Sequence, residues 1–291
     1  EVVDGEVTIT GCDTSISGDI VLPDTLDGYP VTAIDNVAFS GCSSLTSVEI
    51  PDGVISIGSS AFSGCSILES VVIGNGVTHI GYRAFSGCFD LKDIVIGESV
   101  TSIGSQAFSG CESLVEIVIP DSVTTIEWYA FGFCTGLTSV KLGNNLTHIG
   151  DEAFVACSSL TNVIIPDSVD SIGGAAFFGC ESLETVVIPA SVTNIDNNAF
   201  ANCSSLTGIW VDENNVNYSS DSQGVLFNKD KTTLVAIPNV NSDSYTIPDG
   251  VTTIAKSWVF MNCGSLTSVT IPDSVTTIGN YAFEGCTRLT S

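Results

Sequence analysis

The chain has 291 residues, with 33 Asp+Glu against 7 Lys+Arg and a formal net charge of −26. So acidic a surface excludes nucleic acid and anionic membrane surfaces as natural partners, because both need clustered Lys and Arg. Hydrophobic residues make up 44% and charged residues 14%, too apolar and too weakly charged for a disordered chain. No apolar run approaches the ~20 residues of a membrane-spanning helix. No basic segment followed by an apolar one marks a leader peptide, and the chain begins at Glu1. It therefore reads as a mature or trimmed form.

In chain order, residues 1–33 come first, with hairpin-like Val7-Thr8-Ile9-Thr10, then Ile20-Val21-Leu22-Pro23 and the loop Thr25 to Pro30. They are expected to form an N-terminal cap over an open core. Residues 34–211 carry a strict period. Phe stands at 39, 62, 85, 108, 131, 154, 177 and 200, spaced by 23, with Cys three residues later and Leu three after that. Each unit has a strand with L-x-x-V-x-I spacing, such as Leu45-x-x-Val48-x-Ile50. A Pro-Asp-Gly turn follows, then a short extended piece, Val54-x-x-Ile57, and a compact Gly58-x-x-Ala61-Phe62-x-Gly64-Cys65 turn. That last turn is expected to be one turn of helix or 3-10. A unit this short cannot bury its apolar stripe alone, so the units must stack. About eleven coils, ~4.8 Å apart, give a length of roughly 50 Å.

Residues 212–247 leave the register: Cys203 to Cys263 spans 60 residues. Gly224 to Pro238 reads as a hairpin turning at Asn228 to Lys231. Polar loops, Asp212 to Asn215 and Asn239 to Ser244, flank it. Either it is a longer coil with an excursion on one face, or it is a protrusion that touches a ligand. Regular repeats resume over 248–291 and stop at Leu289-Thr290-Ser291, where another strand is due. The expectation is a truncated array with an open sheet edge, monomeric but able to associate end to end.

The repeated I-P-x-x-V-T-x-I-G-x-x-A-F-x-G-C-x-x-L-T-x-V pattern resembles the BspA-like, or Treponema pallidum-type, leucine-rich repeats, from roughly Leu22 to Ser291. The resemblance implies an α/β solenoid. It would be a right-handed leucine-rich-repeat superhelix with a parallel β-sheet on the concave face and short strands and helical or 3-10 turns on the others. It also implies an extracellular or cell-surface location. The implied role is adhesion, with a host extracellular-matrix or plasma protein, or a neighbouring cell's protein, as partner.

The eleven cysteines are odd in number, so they cannot all pair within one chain. Equivalent positions one coil apart have parallel Cα–Cβ vectors, whereas a disulfide needs the Cβ atoms turned toward each other. The cysteines are expected to form a buried ladder of free thiols with no metal and no cofactor. Only Cys12 lies outside it. His79 and His148 are expected to sit in a solvated repeat position, facing neither each other nor a nucleophile. No P-loop, G-x-S-x-G or H-E-x-x-H motif occurs, and the chain is not expected to be an enzyme.

In L-x-x-V-x-I the third and fifth positions face outward. The third row is polar, whereas the fifth reads Glu49, Val72, Val95, Val118, Lys141, Ile164, Val187, Trp210 and Thr270. The candidate ligand-binding patch is Val118, Lys141, Ile164, Val187 and Trp210, flanked by Asp93 and Glu116. An exposed apolar row of this kind marks an interaction site, although stacked Val also satisfies strand propensity alone. The rival readings are a structural spacer that displays another domain and a carbohydrate-binding module, for which exposed aromatics such as Trp128 would be the platform.

Overall fold

The computed structural model describes residues 1–239 and 243–290, with Lys256 described by its backbone alone. Residues 240–242 of the expected polar loop and Ser291 lie outside the described residues.

The period becomes a solenoid of about 12 turns built from parallel strands. Each coil contributes two strands to two separate ladders. The V-T-x-I segments pair in register one coil apart, Ala33↔Ser56, Ser56↔His79 and His79↔Ser102, continuing to Ser171↔Asn194. Before the irregular segment, the L-x-x-V-x-I segments form a second ladder in two parts. One is a four-stranded sheet ending at Asp93–Val95; the other is a five-stranded sheet from Glu116–Val118 to Gly208–Val211.

The third face differs from the expectation. Among the described residues there is no helix, and the G-x-x-A-F-x-G-C segments are stacked β-turns. The reason lies in the backbone: two residues per coil, four apart, take left-handed φ. One row runs Ser60 (55°), Arg83 (56°), Gln106 (57°) and Tyr129 (60°); the other runs Gly64 (74°), Gly87 (74°), Gly110 (75°) and Phe133 (60°). A right-handed helix cannot pass through such residues. Their effect is to aim successive N–H groups in alternating directions. Ala61, Ser63 and Cys65 donate three residues back, to Gly58, Ser60 and Phe62. Ser60, Phe62 and Gly64 instead donate to Tyr82, Ala84 and Ser86 of the next coil. A helix would direct every N–H along its own axis and leave none to join coils.

Inside, each residue type forms a file. The Phe rings stack from Phe39 to Phe200 with centroids 4.8–5.7 Å apart and planes within 7° of parallel. All eleven cysteines are free thiols, and the nine from Cys42 to Cys263 are buried. Their thiols have a definite task. Cys65 Sγ donates to Phe39 O at 3.1 Å, and the same bond recurs one coil at a time to Cys203 and Phe177 at 3.2 Å. Burial pushes the Cys203 thiol up to about 12 and the Cys88 thiol higher still. Buried neutral thiols behave as small apolar side chains with a weak donor.

The period ends at the irregular segment. Tyr218–Ser220, Leu226–Asn228 and Thr233–Ala236 run antiparallel to one another. The last of these pairs in parallel with Thr253–Ser257 and so restarts the V-T-x-I ladder. The seam is held by polar groups. Fully buried Asn215 donates to Pro189 O and Val192 O at 2.8 and 3.0 Å and accepts from Asn217 and Tyr218 N–H at 2.9 and 2.8 Å. The Tyr218 hydroxyl accepts the Ile195 N–H at 2.8 Å, an N–H at the last rung of the first ladder. Two apolar cores result. The larger runs from Val7 to Leu226, and the smaller from Val225 to Ala282, meeting where Val225 and Leu226 point opposite ways.

Candidate functional site

Strand alternation places one outward row on the second ladder. Val140 and Val163 are buried inward while Lys141 and Ile164 face solvent, because successive strand residues point to opposite faces. The five-stranded sheet brings Glu116, Val118, Lys141, Val187 and Trp210 together by register: Val118 opposes Lys141, and Val187 opposes Trp210. Ile164 directly follows the strand Asn162–Val163 of the same sheet and is 75% exposed. Val118, Val187 and Trp210 are also exposed, as are Glu116 and Lys141. Asp93 is exposed but belongs to the other sheet, beyond the break in the ladder. Val72 and Val95, on that side too, continue the apolar row away from the patch.

Two features of the patch go beyond the residues expected from the sequence. The first is Gly208. A Cβ there would lie 2.7 Å from Cε2 and Nε1 of Trp210, so the indole rests against the bare backbone of its own strand. The signal is the single Gly in an otherwise polar third row. The second is a groove of about 340 Å3 lined by Asn162, Ile164, Asp167, Thr185, Val187 and Asp212. Its lining joins Ile164 and Val187 of the fifth row to the acidic residues Asp167 and Asp212.

The turn acids do structural work at their own positions. Asp52 Oδ1 accepts the Asn75 N–H at 2.6 Å, and Asp121 Oδ1 accepts the Asn144 N–H at 2.8 Å. The backbone N–H and side chain of Asn144 hold the Asp121 carboxyl below its usual range. Such bonds tie the turn of one coil to that of the next.

The histidines depart from expectation, because each meets a serine hydroxyl one coil on. His79 Nδ1 lies 2.7 Å from Ser102 Oγ, and His148 Nδ1 lies 2.8 Å from Ser171 Oγ. Register produces these contacts, since the two residues of each pair face each other across adjacent strands. Ser171 Oγ donates its proton to Asp170 Oδ1 at 2.6 Å. The histidine nitrogen must then donate to that hydroxyl rather than accept from it. A general base needs the reverse polarity. Among the described residues, no group of three or more His, Cys, Asp or Glu is placed to hold a metal ion.

A model of the BspA type leucine rich repeat region matches residues 32–157, 124–242 and 236–291, with 6 copies. No curated protein matches the chain. Solved structures share its fold, three of them as follows. A leucine rich cell surface protein of Faecalibacterium prausnitzii is 33% identical over 99% of this chain and 72% of its own, with a TM-score of 0.77. The leucine rich repeat protein of T. pallidum is 30% identical over 69% of this chain and 83% of its own, with a TM-score of 0.52. The pneumococcal vaccine antigen PcpA is 22% identical over 100% of this chain and 66% of its own, with a TM-score of 0.56, a likeness of fold alone. Matched along almost its whole length by the repeat model, the chain belongs to the BspA-type leucine-rich-repeat family.

Proposed function

We propose that the chain is a protein-binding module of a secreted or cell-surface protein, and that it holds its partner on the outward face of the five-stranded sheet. In this reading the face is the concave side of a right-handed superhelix. Residues 1–33 cap the array, and residues 212–247 interrupt it beside the site. The observation that carries the proposal is the contiguous exposed row Val118, Lys141, Ile164, Val187 and Trp210, ending at Trp210 against Gly208. Contiguous apolar exposure is uncommon on soluble proteins without a binding role, and Trp is enriched where binding energy concentrates. The groove beside Ile164 and Val187 would take an apolar side chain, and Asp167 and Asp212 in its lining favour a neighbouring Lys or Arg. The net charge of −26 favours a basic partner in the same way. The named location of the Faecalibacterium relative supports adhesion to host or neighbouring-cell proteins.

The test is a panel of extracellular-matrix and plasma proteins offered to immobilised wild type, Trp210→Ala and Val187→Asp. A partner retained by the wild type should bind each variant at least tenfold more weakly, a loss of about 1.4 kcal/mol or more, while thermal melts stay unchanged. Unaltered binding in folded variants removes the patch from the proposal. The uniform 23-residue period also suits a spacer, and a wild type that retains no member of the panel favours that reading.

A further inference from the structure

The N-terminal segment runs alongside the first full coil. Glu6–Ile9 pairs in parallel with Tyr29–Ile34, with Ile9 opposite Ile34. Ser17–Val21 pairs in parallel with Ser44–Ile50, with Ser17 opposite Ser44. The stretches between these strands, 10–16 and 35–43, are therefore held side by side at both ends. Cys12 lies in one and Cys42 in the other, and their Sγ atoms are 2.9 Å apart.

This pair differs from the rest of the thiol file. From Cys65 to Cys203 each thiol donates to the Phe carbonyl one coil earlier. Cys42 stands at the head of the file, and what meets its sulfur is Cys12. Cys12 also does not occupy a repeat position, so the parallel Cα–Cβ vectors that keep stacked cysteines from joining do not constrain it. A separation of 2.9 Å is within about 1 Å of the ~2.05 Å of a bonded pair. Cys42 is buried, whereas Cys12 is partly exposed and can meet an oxidant.

We propose that Cys12 and Cys42 form a disulfide that fastens the N-terminal segment to the first coil, leaving the nine other cysteines as thiols. The oxidant is a disulfide, either that of a dithiol–disulfide oxidoreductase or a small-molecule one. The Cys12 thiolate attacks the acceptor disulfide, forming a mixed disulfide and expelling one thiolate. The Cys42 thiolate then attacks Cys12 Sγ and expels the second. The two cysteines lose two protons and two electrons in all, and the acceptor is reduced to two thiols. Oxidising surroundings outside the cell preserve such a bond. It would restrain the first strands of the solenoid against fraying from the first coil.

Oxidised glutathione at pH 8 is the probe. After treatment and denaturation, the wild type should expose nine maleimide-reactive thiols rather than eleven and weigh 2 Da less. Proteolysis without reductant should yield the peptide of Cys12 joined to that of Cys42. The melting temperature should rise on oxidation in the wild type but not in Cys12→Ser, which should keep all ten of its thiols. The peptide map of the wild type decides the matter even if a variant folds poorly. Eleven reactive thiols after oxidation, stable glutathione adducts, or a link between other cysteines would overturn the pairing.

Discussion

At the residue scale, the cysteine file is the most unusual chemistry in the chain. A thiol fits the position because it fills the space beside Phe and Leu and its S–H still reaches a carbonyl already bonded by one N–H: Phe39 O accepts both Cys42 N–H and Cys65 Sγ. Burial has a further effect, with a definite sign. Cys203 and Cys263 are raised from an ordinary 9.0 to about 12, both chiefly by burial. Below pH 9 these thiols are protonated whether the chain is folded or not, and they leave stability untouched. Between about pH 9 and 12 only the unfolded chain releases their protons, so stability falls as pH rises. The loss is about 1.4 kcal/mol per thiol per pH unit. We expect the urea midpoint to hold from pH 7 to 8.5 and drop steeply by pH 10.5. A midpoint that stays level to pH 10.5 would show that the thiols ionise in place.

At the element scale, the stacked turns show how a backbone can join coils without helix or strand. Their left-handed residues carry a steric cost of roughly 1–2 kcal/mol for each side chain that is not Gly. Ala175, at φ 53°, has no polar side chain to offset it. Ala175→Gly should therefore stabilise the chain by about 0.5–1 kcal/mol, after allowance for the backbone freedom that Gly adds to the unfolded state. Its neighbour Ala176 is fully buried and absent from the left-handed residues. Ala176→Gly should destabilise by about 1 kcal/mol or more. Paired urea titrations of the two variants check this, and shifts of the same sign would contradict the account. The sequence shows that a compact turn follows each Gly, because the A-F-x-G-C spacing repeats. Its conformation is illegible there, since Ser60, Arg83, Gln106 and Tyr129 share no residue type that would announce a left-handed backbone. Stacking against the next coil imposes that backbone.

At the scale of the whole molecule, stability in a solenoid is close to a sum over neighbouring coils. The seam at Asn215 and Tyr218 divides that sum unequally. The core on the N-terminal side continues through the long Phe stack, whereas the smaller core holds one Phe pair, Phe260 and Phe283, 4.7 Å apart. Unfolding should begin in the smaller core. Hydrogen exchange followed by mass spectrometry should find the amides of residues 244–290 exchanging well before those of 57–195. Equal protection on both sides would mean that Asn215, Tyr218 and their bonds couple the cores into one cooperative unit.

The amino-acid sequence by itself determined what the period encodes: the stacking, the inward files of Phe, Cys and Leu, the outward polar and apolar rows, and the family. These follow from residue type and spacing, because a stack of equivalent coils puts every twenty-third residue in one file. The tertiary structure decided what depends on how unlike segments meet. It broke the ladder between Val95 and Val118, which leaves Asp93 on a different sheet from Glu116. It laid Trp210 against Gly208 and brought Cys12 to Cys42 across 30 residues. Neither contact is written in the period, because each depends on a residue, Gly208 or Cys12, that departs from the repeat.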